Sequence, residues 1–306
     1  MKKTIAVIGQ GFVGGSLTIV MSERGFTVQT FDKADKVALG GYRPTRTGKL
    51  SDFVTHVERY ETIAKDFTGV YFVCVPTPMH EDGSADLSIV DSVLKELASI
   101  PGERVAVVKS TVPPGSTVRW NKTFQKTGLR VVFCPEFLTE ANALDDMRNQ
   151  NRIVLGGPRP HINKVKQIFQ TAFPKVPLMK TSSTTAEMVK YVTNCFLATK
   201  VAFANEVAQI CEELDKIGLD IDYDKVIEYA RFDERLGGSH WSVPGPDGNR
   251  GFGGHCFPKD MNALIYVAKV LGIDPKVMNG VWAKNLEIRE CRDWEAMVGR
   301  AVSKKV

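Results

Sequence analysis

The sequence has little that would specify a membrane protein, a secreted protein or a nucleic-acid-binding protein. No apolar run is long enough to span a bilayer, and no signal peptide precedes the first strand-like segment. Six cysteines among 306 residues are widely spaced, with no Cys-x-x-Cys pair, which argues against a disulfide framework and a zinc site. The net charge of +5 is small and not clustered. We therefore expect a cytoplasmic protein that binds no metal, membrane or nucleic acid, and its charge is compatible with an anionic small-molecule ligand.

The first half of the chain alternates between strand-like and helix-like segments. The strand-like segments are short, apolar and rich in β-branched residues, as in a parallel sheet covered on both faces. A helical pattern between two of them covers residues 87–99. This alternation predicts a doubly wound α/β fold of the Rossmann type. The predicted strands are 4–8, 27–31, 69–75, 105–109, 130–134 and 152–156.

A Gly-x-Gly-x-x-Gly motif connects the first predicted strand to the helical pattern that follows. Glycines at this place allow a tight turn and let a pyrophosphate approach the helix N-terminus. The second strand ends at Asp32, where a carboxylate can bind a ribose 2′-hydroxyl and repel a 2′-phosphate. We therefore predict NAD as the cofactor. The predicted cofactor-binding residues in this region are Gly9, Gly11, Phe12, Val13, Gly14 and Asp32.

A long helix is predicted from Ser182 or Thr184 to about Ile217, because this segment lacks glycine and proline and keeps apolar residues at helical spacing. Lys190 and Asn194 are four residues apart, so their side chains emerge together and can bind a developing oxyanion. The helix suggests a division into a dinucleotide-binding domain, 1–180, and a helical domain, 181–306.

The run from Gly251 to Asp260 presents one cysteine as a reactive thiol. Glycines let the backbone pass close to a ligand, and Pro258 predicts the first turn of a helix. Cys256 would thus lie at a helix N-terminus and close to Lys259, and both features favour the thiolate.

This run resembles the signature Gly-(Phe/Tyr)-Gly-Gly-x-Cys-(Phe/Leu)-Pro-Lys-Asp of the UDP-glucose/GDP-mannose dehydrogenase family. Further segments are similar to the family's motifs: Val75-Pro-Thr-Pro, Lys109-Ser-Thr-Val-Pro, Cys134-Pro-Glu-Phe-Leu-Thr-Glu, Ala186-Glu-Met-Val-Lys-Tyr and Arg235-Leu-Gly. The resemblance covers nearly the whole chain but only about the first two-thirds of the family architecture. We therefore expect these residues to lack the family's C-terminal nucleotide-binding domain. A naturally short form, a truncated form and a second polypeptide that supplies the domain all remain open.

The resemblance implies a role for each matching residue. Cys256 would be the nucleophile, with Lys190 and Asn194 beside it, and Asp260, Thr111 and Glu140 would position the hydrolytic water. Thr77 and Thr111 would contact the cofactor. Glu136 and Glu140 would share a face if their segment were helical. The residues assigned to substrate are Glu136, Phe137, Leu138, Glu140, Lys190, Asn194, Arg235, Phe252 and Gly253.

The implied reaction is the NAD-dependent four-electron oxidation of the C6 alcohol of a nucleotide sugar, with UDP-glucose as the first candidate substrate. GDP-mannose and UDP-N-acetyl-hexosamine stay open as substrates, as does a non-catalytic NAD-binding subunit. A β-hydroxyacid dehydrogenase would share the architecture but would need no thiol. The long apolar-striped helix predicts a homodimer, in which Arg235 would reach the neighbouring active site.

Overall fold

The computed structural model describes residues 3–33, 54–56 and 67–304, and the chain divides into two compact units. The first unit comprises Met1–Thr77 and Leu87–Lys190, and the second comprises Pro78–Asp86 and Tyr191–Val306. None of the helices in the described ranges combines the length and apolar composition that a bilayer crossing requires.

The first unit contains a twisted sheet that has eight strands among the described residues, in the order β3-β2-β1-β4-β5-β6-β7-β8. Neighbouring strands are parallel except β6 and β7. The first six positions have the strand order of a dinucleotide-binding fold, which confirms the predicted fold class. The strands are β1 (Thr4–Ile8), β2 (Thr27–Phe31), β3 (Val54–His56), β4 (Phe67–Val73), β5 (Arg104–Val108), β6 (Leu129–Phe133), β7 (Ile153–Gly156) and β8 (Leu178–Thr181).

Helices cover both faces of this sheet because the strand side chains alternate between two apolar layers. Ile5 and Val7 belong to one layer, together with residues of three helices, whereas Ala6 and Ile8 belong to the other. The first layer contains residues of α1 (Phe12–Glu23), α4 (Ala143–Arg148) and α5 (His161–Ala172). The second contains residues of α2 (Ser88–Ser99) and α3 (Ser116–Thr123).

The predictions for strands 4–8 and 27–31 agree with the structure, whereas three later predictions extend beyond the strands. β4, β5 and β6 end at Val73, Val108 and Phe133, one or two residues before the predicted ends. The next residues still donate their N–H groups to a neighbouring strand, as in Cys74 to Ile8 at 2.8 Å and Cys134 to Val108 at 2.9 Å. The pairing stops there because proline, which has no N–H donor, follows within two residues of Cys74 and directly after Cys134.

A helix of 34 residues, α6 (Ser183–Lys216), begins at the end of the first unit and continues into the second. Its length is about 50 Å at 1.5 Å per residue. The Thr185 N–H donates to Ser182 Oγ at 3.1 Å at its start, and the Leu219 N–H donates to the Leu214 carbonyl at 3.1 Å at its end. The prediction of one uninterrupted helix with these boundaries is confirmed.

The second unit is helical and is built around the later part of α6. Tyr191, Cys195, Ala198 and Ala202 recur at helical spacing on α6 and pack in one buried cluster with residues of the other helices. Those residues include Met261 and Leu264 of α8, and Val281 of α9. The remaining helices are α7 (Tyr223–Ala230), α8 (Phe257–Val270), α9 (Lys276–Ile288) and α10 (Asp293–Ala296), with a 3-10 helix at Glu234–Leu236.

Candidate active site

The turn between β1 and α1 has the shape that a dinucleotide site requires. Gly9 has a φ of +86°, which an L side chain rarely adopts, and a Cβ at Gly14 would lie 1.9 Å from the Gly9 carbonyl oxygen. By contrast, a Cβ at Gly11 would meet no atom within 4 Å. Gly9 and Gly14 therefore make the turn tight, and the space beside Gly11 is open where a pyrophosphate would approach the first turn of α1.

Asp32 lies directly beside this turn. The Gln10 N–H donates to Asp32 Oδ2 at 2.6 Å, and this bond fixes the carboxylate at the end of β2. A carboxylate in this position suits the two hydroxyls of an unmodified ribose and disfavours a 2′-phosphate. The geometry of the turn and of Asp32 therefore fits NAD.

The loop that carries Thr111 follows β5 and has two anchors. Ser110 Oγ donates to the Val75 carbonyl at 2.6 Å, which joins this loop to the loop carrying Thr77. The N–H groups of Gly115 and Thr117 donate to the Glu187 carboxylate at 2.6 and 2.8 Å. Burial raises the pKa of Glu187, although these hydrogen bonds oppose the shift. Glu187 was not among the predicted site residues, because only its place in a motif marks it in the sequence.

Glu136 and Lys190 form a buried ion pair within the first unit. The Lys190 Nζ donates to Glu136 Oε1 at 2.6 Å and to the Glu136 carbonyl at 2.9 Å, while Glu136 Oε2 accepts the Leu138 N–H at 2.7 Å. Burial acts to raise the pKa of Glu136, but the charge and the hydrogen bond of Lys190 outweigh it, so the pKa lies below its ordinary value. The pair keeps both charges in a buried place.

The segment with Glu136 and Glu140 is not helical, so the condition under which these two acids would share a face is not met. The chain is irregular after β6 because Pro135 precedes the segment and the Glu136 side chain bonds the backbone of Leu138 instead. Glu136 is buried, whereas Glu140 is exposed. The Phe137 ring lies 3.8 Å from the Arg152 guanidinium carbon, a cation–π contact that orients the ring.

Three of the six cysteines are unsuited to a nucleophilic role. Burial raises the pKa of Cys74 to about 12 and raises the pKa values of Cys134 and Cys195 above their usual range. The buried Lys109 contacts Cys134, with 3.6 Å between Nζ and Sγ, and donates to the Cys134 carbonyl at 3.2 Å. These thiols stay protonated at neutral pH, and protonated thiols are poor nucleophiles.

Cys256 lies at the start of α8 in the second unit, where it is only partly buried. It is the N-cap residue of this helix, with Pro258 in the first turn, as the sequence predicts. Its side chain therefore lies at the end of the helix dipole that stabilises a negative charge. Lys259 forms an ion pair with Asp260, so the carboxylate partly offsets the positive charge that the sequence assigns to the neighbourhood of the thiol.

Asp260 contacts several polar side chains of this region. The Asn194 Nδ2 donates to Asp260 Oδ2 at 2.6 Å, and the Cys195 Sγ donates to the Asp260 carbonyl at 3.6 Å. Asp260 is 1% exposed, Asn194 7% and Lys259 9%, so the cluster is almost dry. A carboxylate that holds an amide and an ammonium in a dry place is an electrostatic arrangement that can support oxyanion chemistry.

The other predicted residues of the second unit differ in exposure. Phe252 is buried, with its ring 6.1 Å from the Phe257 ring and 6.3 Å from the Trp282 ring. Arg235 is exposed and pairs with Asp233, with 2.8 Å between Nε and Oδ1.

The predicted residues fall into two sets. Gly9, Gly11, Phe12, Val13, Gly14, Asp32, Thr77, Thr111, Glu136, Phe137, Leu138, Glu140 and Lys190 belong to the first unit. Asn194, Arg235, Phe252, Gly253, Cys256 and Asp260 belong to the second. Among the described residues, no cluster of His, Cys, Asp and Glu side chains could hold a metal ion.

Comparison with known proteins identifies both units. Residues 3–173 match the UDP-glucose/GDP-mannose dehydrogenase family, NAD binding domain, and residues 184–287 match the central domain of the same family. The match to an NAD binding domain confirms the predicted cofactor.

Individual relatives agree with these matches. The chain is 33% identical over 300 residues to the UDP-glucose 6-dehydrogenase TuaD of Bacillus subtilis, covering 92% of this chain and 63% of that protein. It is 34% identical over 301 residues to the UDP-glucose 6-dehydrogenase of Rickettsia bellii, covering 92% of this chain and 67% of that protein. The chain thus spans about two-thirds of the length of these curated relatives.

Solved structures give the same result. A UDP-glucose dehydrogenase from Pyrobaculum islandicum superposes with a TM-score of 0.78 at 28% identity, over 94% of this chain and 68% of that one. A GDP-mannose dehydrogenase from Pseudomonas aeruginosa superposes with a TM-score of 0.64 at 26% identity, over 93% of this chain and 68% of that one.

Proposed function

The chain belongs to the UDP-glucose/GDP-mannose dehydrogenase family, and from this membership we propose that it oxidises the C6 alcohol of a nucleotide sugar to a carboxylate with NAD. UDP-glucose is the first candidate substrate because the relatives from Bacillus and Rickettsia are named as UDP-glucose 6-dehydrogenases. The observation that carries the proposal is the position of Cys256 at the N-terminus of α8, in the same unit as the buried Asn194–Asp260–Lys259 cluster. Residues 1–180 would bind NAD, and residues 181–306 would supply the thiol.

The chemistry proceeds through a covalent intermediate. NAD, when bound, accepts one hydride in each of two oxidation steps. The first oxidation converts the alcohol to an aldehyde, and the Cys256 thiolate then adds to the aldehyde carbon to form a thiohemiacetal. Loss of a second hydride from that carbon leaves a thioester, which water hydrolyses to the carboxylate and the regenerated thiol. The covalent bond retains the aldehyde until it is oxidised.

The buried polar residues would act on the charges that develop in these steps. Lys190, kept charged in a buried place by Glu136, and Asn194 would stabilise the oxyanion of the thiohemiacetal. Asp260, Thr111 and Glu140 would position the hydrolytic water. Phe137, Leu138 and Arg235, together with Phe252 and Gly253, would bind the substrate.

The test measures NADH and acid together, for UDP-glucose, GDP-mannose and a UDP-N-acetyl-hexosamine in parallel. The covalent route requires two NADH per acid formed and no accumulation of aldehyde. A ratio of one with free aldehyde in solution would contradict it. NAD binding without oxidation of any of the three sugars would instead support a non-catalytic subunit.

We also propose that the protein is a homodimer. Val192, Phe196, Phe203 and Ile210 lie four or seven residues apart on α6, hence along one face, and each is more than half exposed. A stripe of large apolar residues along a helix of this length is the kind of surface that a second copy covers. Arg235, which extends from an exposed segment of the same unit, would then reach the substrate of the neighbouring copy.

Light scattering tests the dimer at micromolar concentration. Phe196→Asp should shift the mass towards a monomer, because it places a charge in the stripe, whereas Glu206→Gln on the same helix should not. An active wild-type monomer would contradict both the dimer and the role of Arg235.

A further inference from the structure

The backbone of the glycine-rich loop that precedes Cys256 is held by side chains from other parts of the second unit. Gly251 N–H donates to Asn205 Oδ1 at 3.2 Å, and Gly254 N–H donates to Asp293 Oδ2 at 2.9 Å. Between them, Asn285 makes two bonds to one residue. Its Oδ1 accepts the Phe252 N–H at 2.7 Å, and its Nδ2 donates to the Phe252 carbonyl at 3.0 Å.

Arg289 forms ion pairs with Asp293, which bonds this loop, and with Asp247. Its Nη2 lies 2.7 Å from Asp247 Oδ2 and 3.0 Å from Asp293 Oδ1, and its Nε donates to the Cys291 carbonyl at 2.9 Å. A Cβ at Gly253 would lie 2.1 Å from Arg289 Nη2 and 2.3 Å from Asp293 Oδ1. The backbone at residue 253 therefore passes so close to the ion pair that a side chain there would have to displace it.

These contacts are costly to arrange: Asn205, Asn285 and Asp293 bond the loop just before the thiol, and Arg289 pairs with Asp293. Asn285 is 0% and Arg289 3% exposed, so their polar groups are desolvated and are tolerated only because each is paired. Apolar packing could hold a loop near a surface, but it would not fix the direction of individual N–H and C=O groups. Polar bonds to residues 251, 252 and 254 do fix that direction, and Cys256 follows two residues later.

We propose that Asn285, Arg289 and Asp293 are positioning residues that hold the Cys256 thiol at the N-terminus of α8. The significance of this position rests on the proposed function, in which the thiolate attacks the aldehyde. The positioning itself is a property of the second unit and can be measured without turnover. Loss of any one anchor should let the loop relax and move the thiol away from the helix end that stabilises its charge.

The test follows the alkylation of Cys256 by iodoacetamide as a function of pH, with mass spectrometry to read the Cys256 peptide separately from Cys291. Asn285→Ala and Asp293→Ala should raise the pH midpoint and slow alkylation at pH 7 by roughly tenfold, and kcat should fall by roughly 10- to 100-fold with little change in KM. Removing the negative charge of Asp293 would by itself favour the thiolate, so a raised midpoint in Asp293→Ala identifies lost positioning rather than a change in local charge.

The controls separate positioning from general stability. Asn279→Ala, on the same helix as Asn285, and Glu295→Ala, near Asp293, should leave the midpoint unchanged. Asp293→Asn should restore it, because the amide oxygen can still accept the Gly254 N–H. If Asn285→Ala does not fold, Asn285→Ser takes its place with the same expected direction.

A folded Asn285→Ala or Asp293→Ala variant with the wild-type midpoint would overturn the proposal, even if its Tm were lowered. If instead Cys256→Ser oxidised the nucleotide sugar normally, the covalent route of the proposed function would fail while the alkylation result stood on its own.

Discussion

The two units place their functional groups by different means. In the first unit, the predicted cofactor contacts come from a turn and from loops at strand ends, whose positions the sheet determines through its ladder. In the second unit, Cys256 lies at the end of a glycine-rich loop that belongs to no sheet, and buried or half-buried side chains hold the backbone before it. The comparison indicates that the position of the cofactor site in the first unit depends on backbone geometry and on open space beside the turn. The position of the thiol in the second unit depends on individual polar side chains.

The substitution Cys256→Ser should separate the two halves most sharply. A hydroxyl is a far weaker nucleophile than a thiolate at neutral pH, so acid formation should fall on the order of 10⁴-fold. The affinity for NAD should not change, because the dinucleotide turn belongs to the other unit. Steady-state kinetics and an NAD titration measure the two effects. Cys291→Ser, at an exposed cysteine, is the matched control and should behave as wild type.

Asp260→Asn should have the next largest effect. It removes the counter-ion of Lys259 and weakens the bond that orients Asn194. We expect kcat to fall roughly 100-fold and the free energy of unfolding to fall by about 3 kcal/mol, because a buried cation is left uncompensated. Asp274→Asn removes an equivalent but exposed pair with Lys276, so it should change neither quantity. Wild-type kcat in Asp260→Asn would show that the cluster serves stability alone.

Asp32→Ala tests the first unit: it should change cofactor binding and leave the reactivity of the thiol unchanged. Loss of the ribose hydrogen bonds should weaken NAD binding about tenfold and should narrow the preference for NAD over NADP. The alkylation rate of Cys256 should be unaffected. Fluorescence titration with both cofactors measures the preference, and Asp145→Ala, an exposed acid of the same unit, serves as the control. Tighter binding of NADP than of NAD by the wild-type protein would overturn the assignment of Asp32.

Glu136→Gln should produce an effect on stability that depends on pH. The folded-state pKa of Glu136 lies below its ordinary value of 4.5, so its ionised form contributes stability that is fully present above pH 4.5. That contribution is lost as the pH falls through the folded-state pKa. The free energy of unfolding of the variant, measured by denaturation, should therefore be roughly 2 kcal/mol below that of the wild type at neutral pH, and this difference should shrink in acid.

Glu96→Gln, at an exposed position, is the control and should unfold with the wild-type free energy both at neutral pH and in acid. If the deficit of Glu136→Gln stayed constant down to pH 3, the ion pair with Lys190 would not be its cause.

Six of the eight strands that the structure describes, the long helix and the start of α8 could be predicted from the sequence because each has a local cause, whereas β3 and β8 were not predicted. Apolar runs bounded by glycine or proline specify the strands, an uninterrupted helical periodicity specifies α6, and Pro258 after Cys256 specifies a helix start. Fold class, family and cofactor followed from these patterns and from motifs that are contiguous in the chain.

The conformation around Glu136 and Glu140 could not be predicted, because its cause is not local. Spacing by four residues suggests one helix face, but the Glu136 carboxylate bonds Leu138 nearby and Lys190, 54 residues away in the sequence. A competing long-range partner cannot be seen in a local pattern. The roles of Glu187, Asn285 and Arg289 were not predicted for the same reason. Their partners are distant in the sequence: 70 and 72 residues for Glu187, 33 for Asn285, and 42 for the pair of Arg289 with Asp247.

By itself, the sequence determined which residues are chemically able to act: a thiol at a helix start, glycines at a turn, and an acid at a strand end. Local hydrogen bonding and side-chain volume are enough for that. Only the tertiary structure decided how those residues are held, which acids are buried with a cation and which stay in water. These properties depend on desolvation and on partners brought together by folding, and the cost of an unpaired buried charge makes each partner specific.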